Sequence, residues 1–144
     1  MLLGQTYYRM GDYTQAAAAF ETVAIRDDAT SATFSMLAEA LVSAEQGIVT
    51  PRAETAIDRA IALDPSNPAG VFYKSMALAQ EGKEPAAHAL LLSHLETADG
   101  FAPWMEAFVA QARRFKHAMG GGFRQAGVLA AAGLYAVNNI PESI

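Results

Sequence analysis

Residues 46–68 read QGIVTPRAETAIDRAIALDPSNP, and the spacing within this stretch decides the fold prediction. Thr50-Pro51 is a helix cap followed by a proline suited to the first helical turn, and Asn67-Pro68 repeats the device. Asp64-Pro65 closes the alanine-rich helix that lies between them. The preceding loop is slightly too long for a strictly repeating array of helices. The stretch therefore predicts one helix of a repeat, entered through an enlarged loop.

Outward from this stretch, equivalent positions recur at a nearly constant distance. Gly4 and Ala38, at matching first-helix positions, lie 34 residues apart, whereas Ala38 and Ser75 lie 37 apart. The second-helix positions Ala53 and Ala87 are again separated by 34 residues. Three surplus residues must therefore lie between the two helices of the second unit, in the loop that contains QGIV.

A 34-residue period of two helices resembles the tetratricopeptide (TPR) repeat. Gly4, Tyr7, Ala16 and Phe20 have the G-x2-Y and A-x3-F spacing of such a unit. Alternating strand patterns are poorly supported, so we predict an all-α TPR helix-turn-helix solenoid. The predicted parts are repeats at about 1–30, 31–67 and 68–100, a capping helix at 103–119 that completes the 1–119 array, and a glycine hinge with an apolar tail helix at 120–144.

Composition narrows the function classes. The 144 residues are 52% hydrophobic with a net charge of −5, which disfavours a nucleic-acid partner. No cysteine is present, which excludes disulfides and thiolate metal sites. The apolar run 126–137 is too short to span a bilayer, which needs about 20 residues. The N-terminus reads as neither a signal peptide nor a membrane span. It enters a helix pattern directly, so we expect the chain to begin partway through a larger protein.

Few residues suggest catalytic chemistry. His88 and His94 are six residues apart on one predicted helix and point to different faces, so a structural or solvated role is expected for them and for His117. The Gly120–Gly122 run lacks the Lys-Ser/Thr of a phosphate loop and predicts a hinge. We therefore expect no enzyme activity, no metal and no cofactor.

The concave face of a TPR array is built from the first helix of each repeat and is the expected binding surface. Aromatic, methionine and amide side chains there suit an extended or helical peptide. Tyr73 and Met76 are expected to be exposed in the groove, with Phe72 less so. The predicted groove residues are Gln5, Tyr8, Arg9, Ser35, Met36, Glu39, Ser43, Phe72, Tyr73, Met76 and Gln80.

One TPR specialisation, in which lysines and asparagines hold a C-terminal carboxylate, is disfavoured. The corresponding positions here are Gln5, Ser35 and Glu39, without lysines. A glutamate at such a position repels a carboxylate terminus.

Residues 38–116 resemble the C-terminal TPR domain of the CcmI/CycH cytochrome c biogenesis proteins. The similarity rests on the order of four motifs, the first in the enlarged loop and the last opening the predicted capping helix. They are Val49-Thr50-Pro51, Leu63-Asp64-Pro65, Gln80-Glu81-Gly82 and Pro103-Trp104.

The resemblance implies a periplasmic, non-catalytic chaperone module of a membrane-anchored protein. Such a module captures the C-terminal helix of apocytochrome c and presents the chain to the haem ligation machinery, with the membrane part outside this sequence. The tail 120–144 matches nothing in that family. A second hypothesis is therefore a scaffold that self-associates or assembles another complex, with homo-oligomer contacts through 123–144.

Overall fold

The computed structural model describes residues 2–95 and 101–119, and every regular element in these two ranges is an α-helix. The predicted tail at 120–144 lies outside the described residues. Within them, no helix is long and apolar enough to cross a membrane. The helices are α1 (Leu2–Arg9), α2 (Tyr13–Ala24), α3 (Ser31–Ala44), α4 (Pro51–Leu63), α5 (Pro68–Gln80), α6 (Glu84–Leu95) and α7 (Phe101–Met119).

The helix starts that the sequence predicted are confirmed by their caps. The Thr50 hydroxyl accepts a hydrogen bond from the Ala53 amide at 3.2 Å, with Pro51 as the first residue of α4. The Asn67 side chain accepts from the amides of Ala69 and Gly70 at 3.0 and 3.2 Å. Each cap satisfies amides that the first helical turn leaves without a partner. These starts are therefore local consequences of the sequence.

The enlarged loop between α3 and α4 is held by a side chain from α5. Gly47 closes α3 in the left-handed region at φ 95°, and its amide donates to the Val42 carbonyl at 2.8 Å. The Gln80 amide nitrogen donates to the Gly47 carbonyl at 2.7 Å, and its oxygen accepts from the Val49 amide at 2.8 Å. Gln80 thus fixes the surplus residues against the end of α5.

Small residues allow α1 to α6 to pack closely, each helix against the next. Ala16, Ala38 and Ala53 are fully buried between helices. At Gly4 the constraint is stricter, because a Cβ atom there would lie 2.6 Å from the Phe20 ring. The glycine in the G-x2-Y pattern is therefore required by the close approach of α1 and α2.

Helix α7 lies mainly against α5, with further contacts to α3 and α6. Its Met105, Phe108 and Phe115 are buried and belong to the same apolar core as the preceding helices. The sequence predicted a helix from Pro103 that caps the end of the array. The observed helix spans Phe101–Met119 and packs on α5 and α3 through its buried apolar side chains.

Candidate functional site

Helices α1, α3 and α5 present one surface to α7, which we call the inner face. It carries the residues predicted to form a groove. The structure divides this face into two parts, a covered part on α5 beneath α7 and an open cavity between α1, α3 and the second half of α7.

The covered part contains three predicted groove residues, Phe72, Tyr73 and Met76, which are 2%, 0% and 1% exposed. The Phe72 ring lies 5.6 Å from the Phe108 ring and 5.8 Å from the Phe115 ring, in edge and tilted arrangements that favour aromatic pairs. The expected exposure of Tyr73 and Met76 is therefore wrong. The physical reason is that α7 provides an apolar partner for α5 within the same chain.

A polar contact fixes the register of α7 on α5. The Gln111 amide of α7 donates to the Tyr73 hydroxyl at 3.1 Å inside the interface. Burial raises the pKa of Tyr73 well above its ordinary value, and the charge of Glu39 adds to the effect. The neutral phenol is therefore part of the folded interface.

Two more predicted groove residues are used inside the fold. The buried Ser35 hydroxyl donates to the Ala32 carbonyl of its own helix at 3.0 Å. Gln80 is bound to the enlarged loop at Gly47 and Val49. Each side chain would have to give up these hydrogen bonds to bind a ligand, which costs free energy. We therefore assign Ser35 and Gln80 structural roles and not the predicted groove role.

The middle of the inner face contains a buried carboxylate with a cationic partner. Glu39 is 3% exposed and accepts from the Arg114 guanidinium of α7 at 3.0 Å. That guanidinium also lies 5.7 Å from the centroid of the Tyr8 ring. The pairing offsets the cost of burying Glu39 and joins α7 to α3 and α1.

Tyr8 connects α1 to α3. Its hydroxyl shares a 3.2 Å hydrogen bond with the Ser43 hydroxyl, so Ser43 is buried rather than available to a ligand as predicted. Its ring lies 5.0 Å from the Tyr13 ring. Burial, followed by the charge of Glu39, raises the pKa of Tyr8 far above its ordinary value. Tyr8 is therefore a neutral, partly buried wall residue.

The open cavity has a volume of about 890 Å³. It brings together five of the predicted groove residues, whereas the residues from α2 and α7 were missed. Arg113 and His117 are one helical turn apart on α7, a spacing visible in the sequence, but only the fold brings them opposite α1. The lining residues are Gln5, Tyr8, Arg9, Tyr13, Phe20, Met36, Glu39, Ala110, Arg113, Arg114, His117 and Ala118.

The cavity has a surplus of positive charge. Arg114 is paired with Glu39, whereas Arg9 and Arg113 form no ion pair with any residue in 2–95 or 101–119. Arg9 and Arg113 are both exposed, so their guanidinium groups are accessible to a ligand. The arrangement suits an anionic group beside apolar side chains.

The histidines occupy three different environments. His94 stacks on Trp104 at 5.1 Å, and its Nε2 atom lies 2.9 Å from the Pro65 carbonyl oxygen, an arrangement that joins α6 to α7. His88 is exposed, and His117 lines the cavity. Among the described residues, no group of three or more His, Asp or Glu side chains could hold a metal ion.

Comparisons with known proteins give two different indications. The family model described as beta-eliminating lyase matches residues 22–144. The cytochrome c-type biogenesis protein CycH of Rhizobium meliloti (strain 1021) is 38% identical over 104 residues. CycH of Bradyrhizobium diazoefficiens is 28% identical over 103 residues. No solved structure matches the chain.

Each alignment with CycH covers 72% of this chain but only 27% or 28% of the relative. The chain therefore spans about a quarter of the length of these relatives. Both relatives are named cytochrome c-type biogenesis proteins, and the similarity is confined to a segment of that size.

The chemistry of a β-eliminating lyase can be compared with the side chains in place. β-Elimination passes through a carbanion, for which pyridoxal phosphate, held as a Schiff base by a lysine, is a common electron sink. Lys74 is paired with Asp58 at 2.8 Å, and Lys83 is paired with Glu81 at 3.1 Å. Neither lines the open cavity. The lysine side chains that the structure describes therefore do not fit that cofactor.

Proposed function

We propose that this chain is a non-catalytic peptide-binding module. The proposal starts from the similarity to CycH, which supports membership in the CcmI/CycH family of cytochrome c-type biogenesis proteins. Helices α1 to α6 form three TPR units in this proposal. The bound segment is the C-terminal helix of apocytochrome c, held during cytochrome c maturation. The module acts in the periplasm as part of a membrane-anchored protein and presents its client to the haem ligation machinery.

The observation that carries the proposal is the way the inner face holds α7. Phe108 and Phe115 are two helical turns apart on α7, and both are buried against the aromatic surface of α5. Grooves that bind amphipathic helices use anchors at this spacing. The inner face is thus already matched to an amphipathic helix, and the cavity beside α7 leaves room for a further segment.

We place the client in the open cavity rather than in the position of α7. Displacing α7 would expose Phe72, Met76, Phe108 and Phe115, at a cost of about 1.5–3 kcal/mol for each large side chain. The cavity requires no such rearrangement. Tyr8 and Met36 line it and are only partly buried, so they offer apolar contact without a rearrangement.

A binding titration tests the proposal. A fluorescent peptide with the sequence of an apocytochrome c C-terminal helix should bind the chain at least about tenfold more tightly than a scrambled peptide of the same composition. Equal binding of the two peptides would rule out the client. Met36→Ala should weaken binding by about 1–2 kcal/mol, because Met36 lines the cavity.

Met10→Ala is the matched control, since Met10 is 73% exposed and does not line the cavity. It should leave the affinity unchanged. If both methionine variants bind like the parent protein, the client occupies another surface.

The lyase match calls for a separate test of the non-catalytic part of the proposal. The chain is incubated with pyridoxal phosphate and borohydride, and digested peptides are examined for a modified lysine. We expect no lysine to be labelled above the level of surface lysines in a denatured control. Selective labelling of one lysine, together with β-elimination from an amino-acid substrate, would overturn the non-catalytic assignment.

A further inference from the structure

The charge of the open cavity is opposite to that of the chain. The chain has a net charge of −5, yet among the described residues Arg9, Arg113 and Arg114 line the cavity with only one carboxylate, Glu39. Because Glu39 is paired with Arg114, its charge does not offset Arg9 and Arg113. His117 lies on the same wall as Arg113. The cavity is therefore a local cationic site on an acidic protein.

The helix dipole explains the position of one of the two arginines but not of the other. A cation in the last turn of a helix interacts favourably with the helix dipole, and this accounts for Arg9 at the end of α1. Arg113, however, is six residues before the last residue of α7, Met119. Arg9 and Arg113 come from separate helices and line one cavity. Two helices thus each contribute a positive charge to this cavity.

Apolar side chains lie beside the cationic groups. Phe20 and Met36 line the cavity, and the Tyr8 ring lies beneath the Arg114 guanidinium. Guanidinium groups bind carboxylates through two parallel hydrogen bonds, and the neighbouring rings provide contact for an apolar residue. A ligand that fits both features has an acidic side chain next to apolar ones.

We infer that the open cavity is a specificity site for an aspartate or glutamate side chain on the amphipathic segment of the client, received by Arg9 and Arg113. This inference rests on the proposed function, because the client is the peptide proposed there. Glu39 does not repel such a ligand as the sequence predicted for a carboxylate, since Arg114 neutralises it within the fold.

The experiment uses a helical client peptide with one glutamate beside its apolar face, the same peptide with Glu→Gln, and a version amidated at its C-terminus. Each is titrated by fluorescence anisotropy against the parent chain, Arg9→Gln, Arg113→Gln and the double variant. Arg26→Gln is the control, because Arg26 is exposed, pairs with Asp28 and lies outside the cavity. Circular dichroism and urea midpoints check that the variants remain folded.

We expect the double variant to bind the glutamate peptide about tenfold or more weakly, and the glutamine peptide with little change relative to the parent. Arg26→Gln should bind both peptides as the parent does. An Arg113→Glu variant should discriminate against the glutamate peptide and recover affinity for a peptide with lysine at that position, which loss of folding cannot produce.

The alternative results are distinct. Equal weakening of the glutamate and glutamine peptides by the double variant would overturn the inference, as would a loss of binding on amidation alone, which would make the chain terminus the ligand. In both cases the client assignment would stand. If no peptide binds better than its scrambled form, the proposed function fails and the inference with it.

Discussion

The two parts of the inner face occupy equivalent positions in the sequence repeat, but one is buried and the other lines an open cavity. Both consist of first-helix residues that the repeat pattern places at equivalent positions. On α5 these residues are buried under Phe108 and Phe115 of α7, whereas on α1 and α3 several line an open cavity. What differs is the covering helix, which presents aromatic side chains to α5 and arginines to α1. A position in the repeat pattern of the sequence therefore defines a face, and the opposing helix decides whether that face is buried or lines an open cavity.

The largest expected effect comes from opening the covered part. Phe115→Ala should destabilise the chain by about 3–5 kcal/mol, because Phe115 is 1% exposed and contacts two aromatic rings of α5. Urea denaturation followed by the fluorescence of Trp104, the single tryptophan, measures the loss. Val109→Ala on the same helix is the control, as Val109 is only half-buried, and should cost less. Equal small losses for both would mean that α7 does not cover α5.

The ion pair at the boundary of the two parts should have the next largest effect. Arg114→Gln leaves the buried Glu39 without its cationic partner, at an expected cost of about 1–3 kcal/mol, moderated because Arg114 is 58% exposed. Adding Glu39→Gln should recover most of that stability, since no charge is then buried. A double-mutant cycle from urea midpoints measures the coupling. Additive losses would contradict a direct pairing of the two side chains.

The next prediction concerns Gln80, which was predicted to lie in the groove but binds the enlarged loop. Gln80→Ala should cost about 1–2 kcal/mol, because it removes two hydrogen bonds to Gly47 and Val49. Gln15→Ala is the control for loss of an exposed glutamine side chain and should change stability by less than about 0.5 kcal/mol. Thermal unfolding compares the two variants. Peptide affinity should be unaltered in both, and a selective loss of binding in Gln80→Ala would return Gln80 to the site.

The smallest effect concerns the neutral tyrosines, Tyr8 beside the cavity and Tyr73 beneath α7. Their pKa values are raised, chiefly by burial, above the ordinary value of 10.0. Above pH 10 the unfolded chain releases phenolic protons that the folded chain retains, so the free energy of unfolding should fall as pH rises. Below pH 10 both tyrosines are protonated in the folded and the unfolded chain, so their contribution to the free energy of unfolding is fully present.

Tyr8→Phe removes one of these groups and should make the alkaline loss shallower. At neutral pH it should cost about 0.5–1.5 kcal/mol through the lost hydrogen bond to Ser43. Urea midpoints at several pH values from neutral to alkaline give both quantities. An unchanged alkaline slope would show that Tyr8 does not hold its proton in the folded state.

The sequence located the helices and the enlarged loop, because the interactions that set them are local. The caps at Thr50 and Asn67 act within three residues, and the left-handed Gly47 ends α3 by a hydrogen bond to Val42. Periodicity alone showed that the three surplus residues lie in this loop. It did not show that Gln80, more than thirty residues away, binds them.

The candidate site was only partly predictable, because local patterns do not show which distant residues come into contact. Gln5, Tyr8, Arg9, Met36 and Glu39 follow from the repeat frame and do line the cavity. The positions of Arg113 and His117 in the cavity do not follow from the repeat frame. In the sequence these two look like ordinary polar residues, and only the packing of α7 against α1 and α3 brings them to the cavity.

By itself, then, the sequence determined the order of the helices in the described ranges 2–95 and 101–119 and set apart one face of α1, α3 and α5 by its residue types. The tertiary structure alone decided which part of that face is buried and which is open. Such a decision depends on how residues more than a hundred positions apart meet, as when the Tyr13 hydroxyl reaches the Ala118 carbonyl at 3.5 Å. Helical periodicity predicts which side chains share a face. The free energy of burying that face depends on the side chains of the helix that packs against it, which here is α7.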